Sequence, residues 1–227
     1  MLFFTWATVF LTSYFYRDVL LFLVMHSSMA VLGNSSSFYF IFTDVYEVFY
    51  AHVNLILFIS LQILFLFIAY HGLIFLTPAL LSKEYFYMSY TLKVVSLVWC
   101  FSLITAHFIL IPLTWKFFLS FQVVSNSYFP SLYFEAKLSE YLRFYIALCY
   151  LCIFYLQLLA MLLLLLSRFV ISLKPIKNYR KLVYYTFVAF STVISPPDLA
   201  SQLVLSSLLI LVYELLVFLF LIRFFAE

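Results

Sequence analysis

The stretch FYIALCYLCIFYLQLLAMLLLLL, residues 144–166, carries no charge and has one strongly polar side chain, Gln157. A continuous apolar run of this length reads as a membrane-crossing helix rather than as the strand-length alternation of a β-barrel. The rest of the chain is of the same kind. Of 227 residues, 67% are hydrophobic and 9% charged, which excludes both a soluble domain and a disordered chain. That length accommodates about six helices of ~20 residues with short connections. The predicted class is all-α: a polytopic integral membrane protein of six transmembrane helices, forming a single domain over residues 1–227.

The spans are expected at about 2–16, 49–74, 91–111, 139–166, 183–194 and 201–222. The first is short and ends at Arg17-Asp18, after which a long polar-leaning loop leads through Asp44 and Glu47 into the second. Thr77 reads as an N-cap and Pro78 as the first residue of a short helix carrying Lys83, Glu84, Tyr85, Tyr87 and Tyr90, tyrosines suited to a membrane interface. Pro112 closes the third span, and a second long loop covers 113–137. Residues 168–181 form a basic connection holding Arg168, Lys174, Lys177, Arg180 and Lys181. Pro196 and Pro197 together remove two backbone donors and end the helix at 183–194. That helix is about 18 Å long at ~1.5 Å per residue, against roughly 30 Å of hydrocarbon, a shortfall that predicts local thinning of the bilayer.

Basic residues fall unequally on the two sides of such a chain. Arg17, Lys116, Lys137 and Arg143 share one side with Asp18, Asp44, Glu47, Glu135, Glu140 and Asp198, and the other Lys and Arg lie opposite. The basic side faces the cytoplasm or a mitochondrial matrix, which places both termini inside. Two glycines in the whole chain leave close helix crossings to Ser, Ala, Thr and aromatic contacts. The surplus of Phe, Tyr, Leu and Ile over Gly also points to an A/T-rich genome such as an organellar one.

With so little glycine, phosphate-cradling loops cannot be built, and no nucleophile elbow or metal-ligand spacing is present, so an enzyme is not expected. Cys149 and Cys152 match C-x-x-C but lie in mid-span, where they read as small packing residues. His26, His52, His71 and His107 are scattered without an i, i+4 pair. Glu214 is an intramembrane carboxylate, by default a functional candidate, with a protonated or hydrogen-bonded structural acid as the alternative. Gln157 needs a partner across a helix interface, and structural and functional readings are both open for it.

Four signatures, taken in order, resemble the TatC family, the polytopic core subunit of the twin-arginine protein translocase, in a form like those encoded by mitochondrial genomes. Phe75-Leu-Thr-Pro-Ala-Leu-Leu-Ser-Lys-Glu84 looks like the family's inside loop after the second span, and Asn178-Tyr-Arg-Lys181 like its basic lead-in to the fifth. Ser195-Pro196-Pro197-Asp198 is similar to the family's Thr-Pro-Pro-Asp turn, and Ser201-Gln202 followed by Tyr213-Glu214 completes the pattern. Thr43-Asp44 also resembles the stretch before the second span. The resemblance implies six helices in a cupped bundle with both termini inside, and transport of folded proteins driven by the proton-motive force. It implies partners of the single-span TatA/TatB type in a homo- or hetero-oligomer, cargo bearing a twin-arginine signal, and no bound cofactor, metal or nucleic acid.

Carried over by position, Glu84, with Lys83 beside it, matches the acid that receives the signal's arginines. Thr192, Ser195 and Gln202 match a polar cluster that docks the partner helix. The chemistry suits the role, because a partly desolvated carboxylate accepts a guanidinium fork that lysine cannot reproduce. Three departures stand out. The family's amphipathic N-terminal segment with a second signal-binding acid has no counterpart, Gln157 stands where the family commonly has glutamate, and Tyr85-Phe86 replaces a basic pair. The mitochondrial inner membrane is the expected location, with a bacterial or plastid energy-transducing membrane as the alternative. A structural subunit or scaffold of a respiratory-chain complex is the rival function.

Overall fold

The structure, a computed structural model, describes residues 2–29, 40–121, 135–169, 174–194 and 199–226. Its regular elements are helical: α1 (Leu2–Phe15), α2 (Arg17–Met29), α3 (Glu47–Leu76), α4 (Ser82–Thr105), α5 (Ile111–Ser120), α6 (Leu138–Phe169), α7 (Lys174–Ile194) and α8 (Leu199–Ala226). The all-α expectation holds. Three helical stretches, Glu47–Ala79, Ser82–Ser120 and Leu138–Met161, are long and apolar enough to cross a membrane, and the bent pair α1–α2 supplies a fourth if taken as one span.

Helix α6, which holds the stretch 144–166, is the hub. It packs against α3, α4, α7 and α8, while α1 lies on α3 and α7 on α8. Small residues line these contacts. Ser28, Ser60, Ser102, Ala106 and Ser191 are fully buried. Each of those serines donates to a carbonyl one turn back, Met25, Leu57, Trp99 and Val188 respectively, at 2.7–3.0 Å. A hydroxyl so satisfied can sit in a water-free interface and let two backbones approach. Gly72 is not used in this way, since a Cβ there would meet nothing within 4 Å.

Four local expectations are corrected. Residues after Arg17 form a helix, α2, bent 73° from α1, where a polar loop was expected. Its apolar face, centred on the buried Val24, packs against α3 and α5 and overrides the polar residues around it. Thr77 does not cap a new helix. It ends α3, its hydroxyl donating 2.9 Å back to the Leu73 carbonyl, and a single 3₁₀ turn, Thr77–Ala79, leads to α4, whose N-cap is Leu81. Nor does Pro112 close the third helix. A π-helical turn, Ala106–Leu110, widens the backbone just before it, with the Ile111 N–H bonding the Ala106 carbonyl, and the chain continues as α5. That widening gives the proline ring room where a regular turn would press it on the carbonyl four residues back. Finally, α7 begins at Lys174 and not at 183, so it is about 31 Å long at ~1.5 Å per residue. The helix as a whole is long enough for the bilayer, but the turns added before 183 carry Lys174, Lys177, Arg180 and Lys181, so its uncharged part is still the stretch 183–194.

Glu47 ties the bundle together at one end. It is buried at the first residue of α3, just before the apolar segment 49–74. Its Oε2 accepts from the Thr43 amide at 2.8 Å and the Asp44 amide at 3.4 Å. Its Oε1 accepts from the Ser139 amide at 3.2 Å and from the Ser139 hydroxyl. One carboxylate therefore ties the Thr43–Asp44 segment ahead of α3 to the N-terminus of α6, where it satisfies an amide of the first turn. Beside it, Ile41 and Lys137 form a short parallel bridge through Ile41 N to Ala136 O and Leu138 N to Ile41 O, both 3.0 Å.

Glu47→Gln would replace one of the two acceptor oxygens by an NH2 facing backbone amides, so it is expected to melt below the parent. Thermal unfolding of the detergent-solubilised pair checks it.

Candidate functional site

Glu84 stands in the first turn of α4, exposed, where its carboxylate accepts from the Leu81 amide at 3.1 Å. Half of a capping box is thereby made, and Leu81 has no side-chain acceptor to complete it. Lys83 is exposed beside it, and neither residue forms an ion pair among the described residues. Tyr85, Phe86 and Tyr87 follow the acid on α4 and are exposed, an aromatic collar of the kind found at membrane interfaces.

One turn further along α4 a groove opens between α3, α4 and α6. Its volume is about 650 Å³, and Gly72, Leu73, Met88, Thr91, Val95 and Gln157 are among the residues lining it. Val95 lies some 16 Å along the axis from Glu84 at ~1.5 Å per residue. Gln157 reaches across from α6 and donates to the Val95 carbonyl at 2.9 Å, so the polar residue of the opening stretch does bridge two helices. Its Oε1 is buried and has no hydrogen-bond partner among the described residues. The arrangement is an exposed carboxylate one turn before the groove on the Met88–Thr91–Val95 side of α4, an apolar trough beyond it, and an unused acceptor on its floor. Such a site suits a cationic head followed by an apolar segment.

At the far end of the chain, Thr192 and Gln202 lie at the same end of the α7–α8 hairpin, on either side of the turn. Thr192 is exposed, its hydroxyl donating to the Ala189 carbonyl at 2.6 Å, and Gln202 is half-buried. Ser195, Pro196, Pro197 and Asp198 lie outside the described residues. Glu214 is held within this hairpin. Arg180 Nη2 sits 3.5 Å from Glu214 Oε2, and the Tyr184 hydroxyl donates to Glu214 Oε1. Arg180 and Tyr184 are one turn apart on α7, so both face α8. The intramembrane acid thus has a cation that the sequence placed in a connection.

Cys149 and Cys152 are buried free thiols on α6. Cys152 sits 3.5 Å from the Thr105 hydroxyl and the Ser102 carbonyl, packed as small groups against α4. No cluster of potential metal ligands occurs among the described residues. Sequence reasoning passed over two features. One is the Glu47 clamp, which the pattern Asp44-x-x-Glu47 before an apolar run could have signalled as a cap. The other is the buried bond from Trp99 Nε1 to Gln62 Oε1, 3.0 Å, which crosses between α3 and α4 and left no local trace.

Comparison with known proteins places these features in a family. The model of the Sec-independent protein translocase protein TatC matches residues 1–207. The uncharacterized tatC-like protein ymf16 of Nephroselmis olivacea is 29% identical over 223 residues, covering 96% of this chain and 87% of that protein. The Sec-independent protein translocase protein TatC of Rickettsia prowazekii is 26% identical over 207 residues, covering 91% and 81%. A crystal structure of the twin-arginine translocase receptor TatC superposes with a TM-score of 0.65 at 19% identity, over 96% of this chain and 94% of that one.

The Arg180–Glu214 pair is expected to behave as a unit. Arg180→Gln and Glu214→Gln should each lower thermal stability, and the double variant should lose less than the sum. A coupling of about 0.5–1 kcal/mol is expected for a half-exposed pair, read from a double-mutant cycle. With the fold, the order of its signatures and the family match in agreement, this chain belongs to the TatC family of Sec-independent protein translocase proteins.

Proposed function

We propose that this chain is the signal-receiving core subunit of a twin-arginine translocase, moving folded proteins out of the mitochondrial matrix across the inner membrane and drawing on the proton-motive force. The observation that carries the reading is the continuity of Glu84, its aromatic collar and the 650 Å³ groove that ends at Gln157. The guanidinium groups of a signal dock on Glu84, and the apolar segment that follows lies in the groove. A carboxylate at an interface binds such a fork through paired, charge-assisted hydrogen bonds.

In this reading α1, α3, α4, α6, α7 and α8 cross the membrane. Both termini and Glu84 lie on the side with the excess of Lys and Arg, the matrix side. The α7–α8 turn, with Thr192, Ser195 and Gln202, then lies on the opposite side and receives a single-span partner of the TatA/TatB type. A polar side chain on that helix adds on the order of 1 kcal/mol through a hydrogen bond in lipid. Gln157 in place of a glutamate removes any charge from the groove floor, so the signal is held there by apolar contact and by one amide acceptor. The working unit is an oligomer of this chain with its single-span partners.

Glu84→Ala is expected to reduce photocrosslinking of a twin-arginine signal peptide at least about tenfold in membranes containing the whole complex. Unchanged crosslinking would overturn the signal-receiving role. Photoreactive residues placed at Thr192 and Gln202 should capture a single-span helix. Capture of lipid alone, or co-purification of the chain in fixed ratio with a respiratory complex, would favour a scaffold.

A further inference from the structure

A second groove lies at the opposite end of the bundle from Glu84, where α3 and α6 both begin. It holds about 310 Å³ between the two helices and is graded along its length. Tyr50, Asn54 and Arg143 line the end nearest the helix starts, and Leu61, Ile146 and Tyr150 the end farther along the helices. The same two faces generate the gradient, because 139, 143, 146 and 150 fall on one side of α6 and 50, 54, 57 and 61 on one side of α3. From Tyr50 to Leu61 the axis advances about 16 Å, roughly half the hydrocarbon thickness.

Arg143 is exposed and forms an ion pair with no acid among the described residues. Glu47, at the start of the facing helix α3, already spends both oxygens on Thr43, Asp44 and Ser139. Glu140, one turn before Arg143, is exposed and forms no ion pair with it. An uncompensated guanidinium above an apolar trough, with an amide beside it, is complementary to an anionic amphiphile. Phosphate oxygens match the guanidinium fork in pairs, and the trough takes one hydrocarbon chain. At 310 Å³ the site is at the small end for a whole ligand, which ranges over about 300–1,000 Å³, so the remainder of the molecule stays in the bilayer.

We propose that the α3–α6 groove is a binding site for an anionic phospholipid, its phosphate on Arg143 and Asn54 and one acyl chain running past Ile146 toward Leu61 and Tyr150. The inference does not depend on the translocase reading. It rests on an unpaired cation and a graded cavity that signal binding does not use.

The test is native mass spectrometry of the full chain in micelles, titrated with phosphatidylglycerol and with phosphatidylcholine of identical chains. The parent should retain phosphatidylglycerol in preference. Arg143→Gln should weaken that retention about tenfold and erase the preference, and Arg143→Lys should fall between. Ile146→Trp, which fills the trough and leaves the guanidinium, should weaken both lipids. A phosphatidylglycerol carrying a photoreactive group at the chain end should label the unmodified protein near Leu61 and Tyr150, a readout that does not depend on any variant folding. Equal retention by Arg143→Gln would overturn the proposal. So would labelling confined to other helices, or displacement of the lipid by glycerol phosphate at equal concentration, which would mark a bare anion site. Exclusion of phosphatidylglycerol by a crosslinked partner helix seated in the groove would also overturn it.

Discussion

Inside a bilayer no water completes an unfinished hydrogen bond, so each polar group this chain carries into the membrane must find its partner within the protein. The helices answer for their own backbones. The side chains are answered pair by pair: buried serines turn back on their own helix, Trp99 meets Gln62, Gln157 meets the Val95 carbonyl, and Arg180 and Tyr184 meet Glu214. These bonds do more than neutralise a cost. Apolar packing alone discriminates poorly between one helix rotation and another when lipid is as greasy as the neighbouring helix. A polar pair that can form in a single alignment fixes that rotation.

The α7–α8 hairpin illustrates how such a pair reshapes an element. A basic run before the apolar segment 183–194 reads as a connection, because lysine and arginine are expensive in lipid. With Glu214 on the facing helix, the charge of Arg180 is compensated and the helix extends back to Lys174. The helix is thereby longer than its uncharged part, with Arg180 paired inside the hairpin. The same electrostatic partner accounts for Glu214 itself, whose role composition alone leaves open.

What the sequence makes legible follows from how far each determinant reaches along the chain. The class and the central helix were readable from 144–166, since a long uncharged run has one physical interpretation. The candidates Glu84, Thr192 and Gln202 come from motifs whose members are close in sequence. Helix ends were read poorly. Pro112 and Thr77 were taken at their local value, but a π-helical turn absorbed one and a 3₁₀ turn the other. The contacts across long separations, Glu47 to Ser139 and Trp99 to Gln62, left no periodic signature and became visible with the fold.

The π-helical turn has a consequence for how insertions and deletions act on this chain. Along α4 the buried positions step regularly through Val98 and Trp99, Ser102, then Thr105 and Ala106. After the turn they resume at Leu110 and Ile111, then Thr114 and Trp115. The interval across the turn is one residue longer than helical spacing allows, so the two halves are out of phase by about 100°. The extra residue works as a phase shifter: it points Trp115 at Tyr141 of α6, with ring centroids 5.0 Å apart, where an unbroken helix would have turned it toward lipid. Straightening 106–110 with every residue kept would carry the second half out of the core, whereas deleting one of them would bring the buried positions back to helical spacing at the cost of pressing the Pro112 ring on the carbonyl four residues before it.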